Sequence, residues 1–135
     1  MGNIILLGTC IYHIIAGLAC LGPQSWIILF GKKTYSIMYP DQFGPEYTMC
    51  LKAIGLFALT LSAFCLRAYL GDDVEFKAFT LQVLAALFLA RALFRILGRD
   101  LFFKAYQITF KRSLKNIIFN IALASVTFYY SFSMN

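Results

Sequence analysis

The chain has 135 residues, of which 61% are hydrophobic, 17% aromatic and 13% charged. Soluble domains average roughly 45–50% apolar and about 25% charged residues, so this composition excludes an ordinary soluble domain and indicates an integral membrane protein. The net charge of +6 would raise the question of nucleic acid in a soluble protein. In a chain built of apolar segments it indicates membrane topology instead.

The first apolar segment is predicted to be a helix over about residues 4–21, which is long enough to cross most of a bilayer core of about 30 Å. Gly22 and Pro23 interrupt it. Whether residues 22–31 extend this helix or lie flat in the interface stays open. No basic residue precedes Lys32, so the charged start of a cleaved signal peptide is missing, and we expect the segment to remain in the mature protein.

The single histidine, His13, lies about midway in the first segment. An ionisable side chain at that depth is either a polar functional site or a neutral imidazole that hydrogen-bonds a neighbouring helix. One histidine cannot provide bis-histidine haem ligation within this chain, and it could ligate a cofactor only together with residues of another subunit. The four cysteines show neither a CxxC pair nor a zinc spacing. The sequence therefore predicts no metal and no cofactor.

A second helix is predicted over about residues 46–70 and a third over about 76–98. Three acidic residues between them lie where a helix N-terminus favours negative charge, and they are Asp72, Asp73 and Glu75. The prediction is that they cap the third helix. A carboxylate metal or proton site is the alternative, and no other residue nearby supports it.

A fourth helix is predicted over about residues 116–133, which carry no charged residue. Residues 101–115, between the third and fourth helices, alternate basic and aromatic side chains with a helical period. This pattern favours an amphipathic helix that lies in the headgroup layer. Its basic residues are Lys104, Lys111, Arg112 and Lys115.

The end of the third segment, "LARALFRILGRD", contains Arg91, Arg95 and Arg99, spaced four residues apart. On a helix this spacing turns each arginine only about 40° from the last, so the three are predicted to form one continuous basic stripe. Arg91 lies roughly 21 Å along the axis from Lys77, near the membrane boundary. A voltage sensor is disfavoured, because sensor arginines recur every third residue across the membrane centre.

Two interpretations of this stripe remain. In the first, the arginines snorkel to the lipid phosphates and mark topology. In the second, the stripe and the basic 101–115 helix form one pocket for a partner's acidic residues or for an anionic lipid, and a doubly charged headgroup such as cardiolipin suits such a pocket.

The positive charges also predict the orientation. With four crossings, ten of the twelve Lys and Arg fall on the side of the loops after segments one and three, and only Arg67 and Lys77 fall on the other side. The positive-inside rule then places both termini outside and the basic loops in the cytoplasm, or in the matrix if the membrane is mitochondrial.

Motifs for catalysis are missing from the sequence. It contains no GxGxxG, P-loop, HExxH or nucleophile-elbow motif, and the polar residues on the helices are too few for a conduction path. Two pairs of small residues, Ala58 with Ser62 and Ala86 with Ala90, are predicted to let helices pack closely.

We therefore expect an all-α, four-helix integral membrane protein that is not an enzyme. The predicted role is an accessory or assembly subunit of a larger complex in an energy-transducing membrane such as the mitochondrial inner membrane. Its expected partners are other membrane subunits and anionic lipid, without nucleic acid.

The layout also resembles the DoxX-like group of small four-helix membrane proteins. The points of similarity are "AGLACLGP" in the first helix, "LKAIGLFAL" at the start of the second, and an arginine near the end of the third, Arg91 or Arg95. The resemblance implies a four-helix fold. It also implies an alternative function, a free-standing protein that binds lipid or sterol or assists a redox partner.

Overall fold

A computed structural model describes residues 1–35, 37–39 and 42–133, and the regular secondary structure in this part of the chain is all α-helix, with no strand. Its helices are α1 (Gly2–Leu21), α2 (Gln24–Tyr35), α3 (Pro45–Leu70), α4 (Val74–Leu97), α5 (Arg99–Tyr106) and α6 (Phe110–Phe132). Three of them, α1, α3 and α4, are long and apolar enough to cross a membrane.

Helices α1 and α3 run antiparallel and pack so closely that two glycines face each other. A Cβ atom on Gly17 would lie 3.0 Å from the carbonyl oxygen of Gly55, and one on Gly55 would lie 2.9 Å from the Cβ of Cys20. Small residues permit this approach of two backbones in membrane helices. Of the two predicted pairs of small residues, Ala86 and Ala90 are exposed, whereas Ser62 of the pair on α3 is buried.

Four helices contribute to the main core, which lies between α1, α3, α4 and α6. Its buried members are Leu6, Cys10, Cys65, Ala68, Leu81, Leu84, Phe88 and Ala124. Helix α6 packs along α4, although it is not among the three most apolar helices. All four cysteines are free thiols, two of them buried in this core.

The chain after α1 folds back rather than extending the first helix. The N–H of Gly22 donates to the carbonyl of Leu18 at 2.8 Å, which ends α1, and α2 begins after Pro23. Helix α2 returns along α1, and the ring of Phe30 lies 6.1 Å from that of Tyr12. Residues 22–31 therefore do not extend α1. They form a turn and most of a separate helix, α2, which packs against α1.

The predicted interfacial helix over residues 101–115 is wrong as a single element. Helix α5 ends at Tyr106, and Gln107 adopts a left-handed conformation with φ 54°, so its N–H donates to the carbonyl of Phe103. Helix α6 then begins at Phe110 rather than at residue 116. The break leaves Lys104 on α5 and puts the other three basic residues on the first turns of α6.

The capping prediction for the third helix is confirmed for Asp73. Its Oδ1 accepts the backbone N–H of Phe76 at 2.9 Å, and α4 starts at Val74, two residues earlier than predicted. A side-chain acceptor at this position satisfies one of the N–H groups that a helix start leaves unpaired.

The antiparallel order brings the ends of α1 and α4 together with the starts of α3 and α6. The Nζ of Lys52 on α3 donates to the carbonyl of Leu21 on α1 at 3.1 Å, and the hydroxyls of Tyr47 on α3 and Tyr106 on α5 lie 3.2 Å apart. We call this the basic end, because the parts of the chain that meet here carry ten of the twelve Lys and Arg. The other two are Arg67, near the end of α3, and Lys77, near the start of α4.

Candidate functional site

The structure brings together His13 and Arg91, which the sequence analysis treated as separate features. His13 is 2% exposed; its Nδ1 lies 2.8 Å from the carbonyl oxygen of Thr9, and its Nε2 lies 3.1 Å from Nη2 of Arg91. A carbonyl can only accept a hydrogen bond, so Nδ1 carries the proton and Nε2 accepts from the guanidinium. The imidazole is therefore neutral and joins α1 to α4.

Two tyrosines complete the surroundings of Arg91. Its guanidinium carbon lies 5.8 Å from the ring centroid of Tyr12, within the range of a cation–π contact. The hydroxyl of Tyr12 hydrogen-bonds the hydroxyl of Tyr35, the last residue of α2. The fold-back of α2 thus places Tyr35 beside Arg95 of α4, although the two residues lie far apart in the sequence.

Arg95 is buried inside the protein and does not reach out to lipid phosphates. It is 8% exposed, and its Nη1 donates to the Oγ of Ser113 on α6 at 3.4 Å. Its guanidinium carbon lies 5.2 Å from the ring centroid of Tyr35 and 5.3 Å from that of Phe102. The prediction of snorkelling is wrong for Arg95, because α2 and α5 fold over it.

Arg99 differs from the other two arginines. Helix α4 ends at Leu97, so Arg99 belongs to α5; its side chain is 66% exposed and its Nε lies 3.6 Å from Oδ1 of Asp100. The predicted continuous stripe is therefore wrong: the break at Gly98 interrupts the four-residue period, and two arginines face inward while the third faces out.

A cavity of about 380 Å³ opens beside Arg91 between α1, α2, α4 and α6. Its polar lining lies towards the basic end and includes Tyr12, His13, Tyr35, Arg91, Asn116 and Asn120. Its apolar lining lies farther from that end and includes Ile4, Ile5 and Leu123. The cavity therefore has a polar end and an apolar end.

A second, larger cleft of about 890 Å³ lies at the surface of the basic end. Four cations line it, Lys32, Lys111, Arg112 and Lys115, together with Ile28, Ile37, Met38, Tyr39 and Thr109. Burial, with smaller contributions from neighbouring groups, raises the pKa of Tyr39 to about 12, so its phenol is neutral. Lys104 does not line this cleft.

The residues of the predicted single basic pocket are thus divided between two separate cavities and one buried position. Arg91 belongs to the inner cavity, Arg95 is buried between α4, α2 and α6, and the three α6 cations belong to the outer cleft. Sequence reasoning counted Lys32 only as a topology marker. It also gave no role to Tyr12 and Tyr35, because their meeting depends on the return of α2, which no local pattern signals.

No carboxylate balances the two inward-facing arginines within the described ranges. Among all the described residues, the one ion pair is that of Arg99 with Asp100. No group of three His, Cys, Asp or Glu side chains suited to a metal occurs in the same part of the chain.

None of the protein families, curated proteins or solved structures compared with this chain matches it, so the DoxX-like resemblance stays a prediction from the sequence.

Proposed function

We propose that the chain is a non-catalytic, multi-pass membrane protein that binds anionic phospholipid at its basic end. In this proposal α6 is a fourth crossing, in addition to the three apolar helices. Its 23 residues are long enough, it packs along α4, and it contributes Ala124 to the shared core.

The observation that carries the proposal is the outer cleft. Lys111, Arg112 and Lys115 lie on the first turns of α6, and Lys32 of α2 approaches the same cleft. Basic residues at the membrane boundary attract anionic headgroups by about 1 kcal/mol each. The apolar side chains Ile28, Ile37 and Met38 beside them suit acyl chains. A doubly charged headgroup such as that of cardiolipin pairs with more than one of these cations.

Lipid retention tests the proposal with a matched pair of variants. The double variant Lys111→Gln with Lys115→Gln removes two charges from the cleft, and Arg67→Gln with Lys77→Gln removes two from the opposite end. We expect the first to retain roughly a tenth or less of the wild-type amount of cardiolipin after purification in mild detergent. The second should retain the wild-type amount. Equal retention in both variants would contradict the proposal.

The proposed orientation is that the basic end faces the cytoplasm or the matrix and both termini face the other side. Cys50 is exposed about 8 Å along α3 from its start at the basic end. A membrane-impermeant maleimide should therefore label Cys50 from the inner side of sealed vesicles only. A cysteine introduced by Ser133→Cys, at the end of α6, should react from the outer side only. Labelling of both from one side would show that α6 does not cross.

The proposed biological role is that of an accessory or assembly subunit, whose lipid-binding end contacts neighbouring subunits of an energy-transducing membrane. The alternative, which the DoxX-like resemblance implies, is a free-standing lipid-binding protein. The cleft suits both roles equally. Gentle detergent extraction followed by native electrophoresis separates the two: a subunit migrates with a large assembly, and a free-standing protein as a monomer or small homo-oligomer.

A further inference from the structure

The inner cavity is a second candidate binding site, separate from the lipid cleft. We propose that it binds a single-chain amphiphile with a carboxylate headgroup, a long-chain fatty acid, with the carboxylate on Arg91 and the chain along α1. This proposal does not depend on the outer cleft.

Arg91 lies about 9 Å before the end of α4, so its guanidinium is within the helical bundle rather than in the headgroup layer. An ionised group at such a place is costly unless an opposite charge accompanies it. In the described ranges no carboxylate approaches Arg91, and its hydrogen-bond partner His13 is neutral.

The nearby phenol does not supply the missing negative charge. Tyr35 ends α2, outside the membrane-crossing helices. Burial raises the pKa of Tyr35, and this effect outweighs the opposite effect of the Arg91 and Arg95 guanidiniums. Tyr35 is therefore neutral at neutral pH, and none of the described residues supplies a negative charge to Arg91.

A guanidinium has five N–H donors in a planar fork that matches a carboxylate. His13 and the ring of Tyr12 engage only part of that fork. One carboxylate carries one negative charge and balances one guanidinium, whereas a phosphate monoester would carry an additional charge into the bundle. The chemistry of the polar end therefore favours a carboxylate over a phosphate monoester.

The cavity extends from His13 back to Ile4, which is about 14 Å along α1. The lining changes over this distance from polar side chains to Ile4, Ile5 and Leu123. A volume of about 380 Å³ lies at the lower end of the range of small-molecule sites, about 300–1,000 Å³. An amphiphile with one acyl chain fits this shape and this gradient.

Gly8 provides a variant that closes the cavity without disturbing the fold. It lines the cavity, and a Cβ atom built on it meets nothing within 4 Å. Replacing a helical glycine also removes its entropic cost to the helix. Gly8→Leu should therefore fill the apolar part of the site and leave the helix intact, and Gly8→Ala should fill less of it.

The test is a binding titration of radiolabelled palmitate to the purified full chain in mild detergent. We expect Arg91→Gln to bind about tenfold to a hundredfold more weakly, because a charge-assisted hydrogen bond is lost. Arg99→Gln is the matched control and should bind as the wild type does. Gly8→Leu should bind more weakly than Gly8→Ala. Hexadecanol, which has the chain without the charge, should compete poorly with palmitate.

Palmitate affinity unchanged in both Arg91→Gln and Gly8→Leu would overturn the proposal, as would hexadecanol competing as well as unlabelled palmitate. The hexadecanol comparison uses the wild-type protein, so it holds even if Arg91→Gln fails to fold. The variant Lys111→Gln with Lys115→Gln should still bind palmitate while it loses cardiolipin, which separates failure of this site from failure of the outer cleft.

Discussion

Arg95 and Arg99 lie four residues apart, yet their surroundings are opposite. Arg95 is buried between two aromatic rings and Ser113, while Arg99 is exposed and approaches only Asp100. The same contrast separates Arg91 in the inner cavity from the lysines of the outer cleft. What decides it is tertiary structure: α2 returns over α4, and the helix break at Gly98 turns Arg99 away.

The largest difference is expected when each arginine is replaced by an acid. Arg95→Glu puts a negative charge against two aromatic faces and removes a buried hydrogen bond, so we expect it to lower the free energy of unfolding by about 3 kcal/mol or more. Arg99→Glu should change it by less than about 0.5 kcal/mol. Denaturation in mild detergent, followed by circular dichroism, measures both. Similar losses would show that the two positions are not different in burial.

Salt should separate the two sites next. Raising the salt from about 0.1 M to about 1 M shortens the Debye length from about 10 Å to about 3 Å, which screens exposed charges far more than buried ones. We expect cardiolipin binding at the outer cleft to weaken by about thirtyfold and palmitate binding at Arg91 to change by less than about threefold. An equal loss at both sites would place Arg91 at the surface.

A smaller effect is expected from the contact that holds α2 in place. Tyr35→Phe keeps the ring beside Arg95 but removes the hydrogen bond to Tyr12, so unfolding should become easier by about 1 kcal/mol. Tyr129→Phe is the matched control, since Tyr129 is largely exposed near the opposite end. Stability that falls equally in both variants would mean that the Tyr12–Tyr35 contact does not stabilise the return of α2.

Much of the helical layout follows from local sequence. Pro45 and Gly71 bound α3, and Asp73 caps α4, because these residues satisfy or avoid the unpaired backbone groups of helix ends. Apolar length predicted three of the helices to within two residues at each end. The fourth was predicted too short, since its basic first turns, Lys111 to Lys115, resemble an interfacial segment as much as a helix start.

The candidate site was predictable only in part. His13 and Arg91 stand out as ionisable residues in apolar segments, but they lie 78 positions apart in the chain, and their pairing depends on how α1 and α4 pack. The inward rotation of Arg95 depends on rings from α2 and α5. Spacing alone gave Arg91, Arg95 and Arg99 one common face, because it assumed that the helix continues through Gly98.

The central claim is that one end of the molecule holds an inner cationic site at Arg91 and an exposed one at the outer cleft. Native mass spectrometry of the intact protein tests this claim most directly. After a wash in about 1 M salt, the wild type and Arg99→Gln should each keep one small acidic adduct with the mass of a fatty acid, and Arg91→Gln should lose it. An adduct kept by Arg91→Gln, or lost equally by Arg99→Gln, would contradict the account.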